Sequence, residues 1–279
     1  MGDLRTLISQ AVRDRVDAGA QAVLLSGGLD SSTVAYFAPE LPVVTGFYAE
    51  EGFDEREYAA LIARGREWLQ VQIIPRDFVD CFDATARALR GLRCGPGAVG
   101  QYVVARALRD SGYSHVLSGE GGDELFGGYV RQHVALGLPI PGTYHEYQMP
   151  EGYPDDLGGA LKVEWDNLRY LCAVDDRVAG AHGVRVVPPL LDPWVVAHAF
   201  SLPLHERIAK MALRKAMRGY LPDAILDRTD KQGFPAPYVK WAQTEPVRSF
   251  VADRIGYVPN PGRPWDREWW YEMLESASG

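Results

Sequence analysis

Ser26-Gly27-Gly28-Leu29-Asp30-Ser31-Ser32 is the stretch whose reading decides the fold of this 279-residue chain. It follows the apolar run Ala22-Val23-Leu24-Leu25 and leads into Thr33 to Phe37, which can continue as a helix. A strand, a Gly/Ser turn and a helix start together build an anion site. The glycines let backbone approach a ligand closely. The free N–H groups of the first helical turn point at that ligand, and the helix dipole favours negative charge there. The hydroxyls of Ser26, Ser31 and Ser32 add donors. Asp30 would repel a phosphate unless a cation lies between them, so the segment reads as a magnesium-phosphate site. The chain has no G-x-x-x-x-G-K-[ST] and no lysine before Lys162. Such a loop suits pyrophosphate, and cleavage between the α and β phosphates, better than γ-phosphate transfer.

A second cluster, Ser118-Gly119-Glu120-Gly121-Gly122-Asp123-Glu124-Leu125-Phe126-Gly127-Gly128-Tyr129, follows the apolar run His115-Val116-Leu117. Three carboxylates among five glycines pack poorly but can be brought close to something positive. Apolar runs at 22–25, 42–47, 71–74 and 115–117 alternate with helical stretches near 31–37, 54–68 and 98–111. That alternation predicts an α/β fold with a doubly wound parallel sheet. In a sheet of order 3-2-1-4-5 the crevice between strands one and four is the switch point where ligands bind. Both Gly/Asp loops overhang it, with Asp30 and Asp123 facing one metal-nucleotide complex.

The chain reads as one domain over 1–279. Residues of about 20–130 form the nucleotide-binding α/β part, and 131–279 form a mostly helical part that completes the site. Residues 1–21 can form one helix. Residues 137–159, rich in Pro, Gly and Tyr, have no clear periodicity, a length of loop typical of lids and docking surfaces. Asp192-Pro193 reads as an N-cap and N1 proline. Trp265, Trp269, Trp270 and Tyr271 mark a last amphipathic helix that packs on the domain. Gly95-Pro96-Gly97-Ala98-Val99-Gly100 satisfies G-x-G-x-x-G but follows a helical stretch, so it reads as a turn starting a helix.

Hydrophobic content of 47%, 24% charged residues and a net charge of −8 fit a soluble globular protein and disfavour nucleic acid as a partner. Cys81, Cys94 and Cys172 are odd in number and widely spaced, which points to a reducing cytoplasm and no disulfide framework. No signal peptide or membrane-length apolar run occurs, so no membrane partner is expected.

Ser26 to Ser32 resembles the pyrophosphate loop of the ATP pyrophosphatases, of the adenine nucleotide alpha hydrolase-like fold. Leu117 to Tyr129 resembles the S-G-E-G-x-D-E-x-F-x-G-Y segment of the asparagine synthetase family. Phe53 to Ala59 is similar to that family's D-E-x-x-Y-A. Asp176-Arg177, Gly183 and Pro189-Leu190-Leu191-Asp192 follow D-R…G-x-E-x-R-x-P-F-L-D. Lys210-Met211-Ala212-Leu213-Arg214 matches K-x-x-L-R, and Arg228 to Pro237 matches R-x-x-K-x-G-F-x-x-P. The resemblance runs from about residue 20 to 242. It implies ATP and Mg2+, with Leu25, Ser26, Gly27, Gly28, Asp30, Ser31, Ser32, Tyr48, Ser118, Gly119 and Lys231 on the nucleotide and Asp30 and Asp123 on the metal. Lys231 would steady charge on the α-phosphate, and Glu120 would orient or deprotonate the amine. Arg93 would hold a substrate carboxylate. Arg185 and Val187 replace the family's E-x-R, which puts aspartate in doubt.

The implied reaction is AMP- and pyrophosphate-forming amide synthesis from a small-molecule or peptide carboxylate. Gly2 follows Met1 where the family's full-length enzymes carry an N-terminal cysteine nucleophile, and no room for a glutaminase domain is expected before the first strand. Nitrogen would come from free ammonia, ammonia channelled from a separate glutaminase, or an amine on the same or another molecule. The last is the chemistry of the β-lactam synthetases and lasso-peptide cyclases. A non-catalytic nucleotide-binding subunit and a tRNA-modifying pyrophosphatase are the alternatives. Asp30, Glu120, Asp123 and Lys231 together argue against the first. The acidic balance argues against the second. Oligomeric state stays open.

Overall fold

A computed structural model describes residues 3–138, 149–228, 236–262 and 267–277. Five strands, β1 (Ala22–Leu24), β2 (Val43–Phe47), β3 (Trp68–Gln72), β4 (His115–Leu117) and β5 (Arg185–Val187), form one parallel sheet in the order β3-β2-β1-β4-β5. The first half of the chain supplies α1 (Leu4–Asp17), α2 (Leu29–Phe37), α3 (Arg56–Ala63), α4 (Pro75–Leu89), α5 (Ala98–Asp110), α6 (Gly122–Phe126) and α7 (Val130–Ala135). The second half supplies α8 (Leu157–Gly180), α9 (Pro193–Ser201), α10 (Leu204–Arg207), α11 (Met211–Met217), α12 (Asp223–Leu226), α13 (Tyr238–Trp241), α14 (Val247–Ile255) and α15 (Glu268–Ser276).

The central strands β1 and β2 are buried on both faces, as those of parallel sheets are. Side chains alternate along each strand. Val23 and Leu25 therefore join a core with Ile8, Val12, Val34, Leu213 and Met217 of α1, α2 and α11. Ala22 and Val44 join an opposite core with Phe78, Phe82, Val103, Val247 and Trp270 of α4, α5, α14 and α15. Register pairs Val23 with Val43 on one side of β1 and with Leu117 on the other. The chain leaves β1 for β2 on one flank and returns to β4 on the other. The switch point thus lies between the C-terminal ends of β1 and β4.

The expected helix at the N-terminus is α1. Asp192 caps α9, accepting from the Trp194 N–H at 2.9 Å, with Pro193 at the first helical position. Gly97 opens α5, so the G-x-G-x-x-G stretch is a helix start. The final aromatic helix is α15, which buries Trp269, Trp270 and Met273. Two boundaries differ from expectation. The third strand begins at Trp68, because Trp68 pairs with Val43 and its indole N–H donates to Thr45 Oγ1 at 2.9 Å. The fifth strand lies inside a stretch read as helical. Gly183, at φ 71°, ends the turn after α8 and releases Arg185–Val187 to pair with β4. Residues 139–148 of the 137–159 segment, Lys231 and Trp265 lie outside the described residues. No helix among the described residues is long and apolar enough to cross a membrane.

Candidate active site

The β1 loop turns sharply at Gly27, whose φ is +79°. A Cβ there would lie 2.6 Å from the Ala59 N and 2.8 Å from the Tyr58 Cβ, so α3 seats directly against the loop and only glycine fits. Gly28 then serves as the N-cap of α2 without a capping side chain. An uncapped helix start leaves its N–H groups for a ligand. The Ser26 and Ser31 hydroxyls meet at 3.0 Å, and Ser31 Oγ donates to the Gly28 carbonyl at 3.2 Å. Ser32 is fully buried beneath them.

The β4 loop interlocks with this turn. A Cβ on Gly119 would lie 2.5 Å from the Ser31 N, and one on Gly122 would lie 2.3 Å from Asp30 Oδ1. A Cβ on Gly128 would fall 2.0 Å from Asp123 Oδ1 and 2.1 Å from Lys210 Cε. The glycines of the second cluster are therefore contact points. They bring Asp30, at the start of α2, and Asp123, at the start of α6, to one place.

Lys210 joins them there. Its ammonium donates to Asp30 Oδ2 and lies 2.5 Å from Asp123 Oδ1, with the lysine only 4% exposed. Lys210 and Ala209 both adopt left-handed φ, at 58° and 52°. The segment is laced to the β4 loop: the Ala209 N–H donates to the Gly127 carbonyl and Arg207 Nε to the Leu125 carbonyl, each at 2.9 Å. Two hard carboxylates converging on one cation, with glycines clearing the space, fit magnesium. That ion commonly takes one or two protein carboxylates and completes its shell with phosphate oxygens and water. Among the described residues no group of three or more His, Cys, Asp or Glu converges on a point.

A cavity of about 430 Å³ opens beside this cluster, within the range of small-molecule sites. Ser26, Asp30, Ser31, Gly119, Glu120 and Asp123 of the two loops line it. Its walls are Leu24, Val44 and Gly46 of the sheet, Val104 and Leu108 of α5, Val178 of α8, and Val186 of β5. Glu124, Tyr129, Gln101 and Asp175 also face it. The Tyr129 hydroxyl donates to the Glu124 carboxylate. Burial first, and then the neighbouring Asp123, push the Glu124 carboxyl up to about 7. Burial and then Asp176 push Asp175 up to about 7, and it accepts from Gln101 Nε2 at 3.1 Å. No Lys, Arg or His is among the described lining residues.

A model of the asparagine synthase family matches residues 3–149 and 162–276. The chain belongs to the asparagine synthase family. A putative glutamine-hydrolysing asparagine synthetase of Mycobacterium bovis is 26% identical over 330 aligned residues, covering 91% of this chain and 50% of that protein. The glutamine-hydrolysing asparagine synthetase of Mesocricetus auratus is 29% identical, over 76% of this chain and 38% of its own. That of Homo sapiens is 28% identical with the same coverage. The chain spans half or less of these relatives' length.

Of the residues singled out by the family motifs, Leu25, Ser26, Asp30, Ser31, Gly119, Glu120 and Asp123 line the cavity. Ser118 is buried behind Glu120, whose N–H lies 3.4 Å from the Ser118 hydroxyl. Gly27, Gly28 and Ser32 of the β1 loop do not line the cavity, and Tyr48 and Arg93 sit elsewhere. Tyr48 is buried with its hydroxyl 3.1 Å from that of Tyr238, and Gly46 takes the cavity face of β2 instead. Arg93 is 71% exposed, pairs with Glu275 at 3.1 Å and stacks over Tyr271, because α15 docks beside the turn that carries it. Arg185 is exposed opposite His115 at the N-terminal end of β5, Val187 packs against the core of α1, α2 and α11, and Val186, the middle position of E-x-R, is the β5 residue that lines the cavity. Lys210 was visible only as part of K-x-x-L-R, and neither Gln101 nor Asp175 carries a sequence signal.

Proposed function

We propose that this chain is an ATP-dependent carbon–nitrogen ligase of the asparagine synthetase type that forms AMP and pyrophosphate. A substrate carboxylate oxygen attacks the α-phosphorus, and the bond to the bridging oxygen of pyrophosphate breaks. Ammonia or an amine then attacks the acyl carbon, and AMP leaves. The observation that carries this reading is the interlock of the β1 and β4 loops, which brings Asp30 and Asp123 within reach of one cation at the mouth of the cavity.

The N–H groups of α2 and the Ser26 and Ser31 hydroxyls would receive the leaving pyrophosphate. Asp30 and Asp123 would hold magnesium, which when bound neutralises charge on the phosphates. Glu120, which lines the cavity, would orient the amine and take its proton. Lys231 would steady the α-phosphate. The purified chain, given ATP, a carboxylate and ammonium, should release AMP and pyrophosphate in a divalent-metal-dependent reaction. ADP and phosphate as products would refute the reading.

A second version of the acceptor half is favoured by the cavity lining. Glu120, Glu124 and Asp175 face it and no described cation does. The α-carboxylate of free aspartate would meet no cation among the described lining residues, and burying a charge without one is costly. A monocarboxylate with an apolar body, or one carrying its own amine as in the β-lactam synthetases and lasso cyclases, suits these walls better. Pyrophosphate release compared between aspartate and apolar monocarboxylates separates the two versions.

A further inference from the structure

We propose that Lys210 is the resident counter-ion of the metal site, which excludes free divalent cations until a nucleotide arrives to take over its ammonium. The proposal rests on the assignment of Asp30 and Asp123 as metal-holding residues. Both carboxylates contact the Lys210 ammonium, and Asp30 and Lys210 are each about 95% buried. Carboxylates drawn out of water need compensating charge, and here the chain itself supplies it. A dication entering alone would share the two carboxylates with the ammonium, and like charges so close repel strongly in a partly dry site. A metal entering with a triphosphate brings several negative oxygens, and the ammonium then has a new partner.

The surroundings suit a side chain that exchanges partners on a fixed backbone. The hydrogen bonds from Ala209 to Gly127, from Arg207 to Leu125, and from Arg214 Nε to the Ala209 carbonyl at 2.9 Å pin the segment. The lysine stem crosses the bare α-carbon of Gly128, where a Cβ would lie 2.1 Å from Cε. Only the flexible stem is left to move. Lysine fits this role better than arginine, because a compact ammonium on a four-carbon stem has no planar fork to lock it in one pose.

The test is Mn2+ binding by calorimetry, without nucleotide, to the full chain and to Lys210→Met. Wild type should bind Mn2+ weakly. Lys210→Met should bind one ion about tenfold or more tightly, and Asp30→Asn added to that variant should remove the gain. If the methionine variant fails to fold, Lys210→Gln, whose side chain is one bond shorter, also removes the charge, with the same expectation. Equal affinity in wild type and the charge-free variant would overturn the proposal, as would absence of binding in that variant. Tight Mn2+ binding by wild type alone would also overturn it. None of these readouts uses turnover. A chain that forms ADP would refute the ligase reading and leave this comparison standing.

Discussion

Gly122 and Gly128 have ordinary negative φ, so alanine at either position is allowed by the backbone and excluded by a neighbour. The neighbours are the two carboxylates that define the site. Gly122→Ala should therefore displace Asp30 and lower kcat/KM by about 10², the scale on which angstrom misplacements act. Unfolding midpoints should change much less, and a thermal melt beside steady-state kinetics checks both. Asp175 offers a pH test. Its folded pKa, about 7, lies above the unfolded value. Wild type thus holds a stabilising increment below about pH 4 that is lost as pH rises through 7. Relative to wild type, Asp175→Asn should gain on the order of 2 kcal/mol at pH 7.5 and little at pH 4.5. Urea unfolding at the two pH values measures it, and a pH-independent difference would contradict the assignment. Lys231→Ala should lower kcat by about 10²–10³ with little change in ATP affinity. Lys240, exposed on α13, should be nearly silent as the control. The Gly/Asp motifs singled out Asp30 and Asp123, which the structure brings to the Lys210 ammonium. Lys210 stood out only within K-x-x-L-R, and its place beside them was not legible, because it meets Asp30 from 180 positions away and its setting depends on two left-handed residues no composition rule anticipates.

At the scale of elements, α3 is braced against the β1 loop from outside. Arg228 donates to Glu55 and stacks 3.8 Å over the Tyr58 ring, and Tyr58 is the residue pressed against Gly27. Arg214, on α11, in turn holds the Leu226 and Arg228 carbonyls. Three family motifs are thereby joined in one strut from α11 to the β1 loop. Arg228 is 9% exposed, so Arg228→Met, which leaves Glu55 near-buried without this partner, should destabilise by about 3 kcal/mol. Adding Glu55→Gln should recover part of the loss, and a double-mutant cycle in urea reads the coupling. Purely additive effects would show that the pair does not brace the loop. Sequence reading found β1, β2 and β4 because their apolar runs stand beside clear turn signals. It displaced β3, an edge strand whose alternating Trp68-Leu69-Gln70-Val71-Gln72 is half-exposed and less conspicuous than the apolar residues ending at Ile74. It missed β5, where three residues at the other edge give no periodicity to read.

Over the whole molecule, the order β3-β2-β1-β4-β5 explains why residues of the two Gly/Asp loops, β2, α5, α8 and β5 face one cavity. The same frame bears on the nitrogen source. Burial raises all three thiols, Cys94 to about 11 and Cys172 to about 12, and Cys81 above its usual value. Thiols held protonated are poor nucleophiles, so these 279 residues alone should release no glutamate from glutamine. A coupled glutamate assay on the purified chain checks this. The central claim is that the switch-point site joins a carboxylate to AMP before any amine is used. Isotope exchange from labelled pyrophosphate into ATP, in the presence of carboxylate and magnesium and without amine, tests it most directly. Carboxylate-dependent label in ATP, abolished in Asp30→Ala and Asp123→Ala, is the predicted result. Exchange that needs no carboxylate, or that survives in both variants, would contradict it.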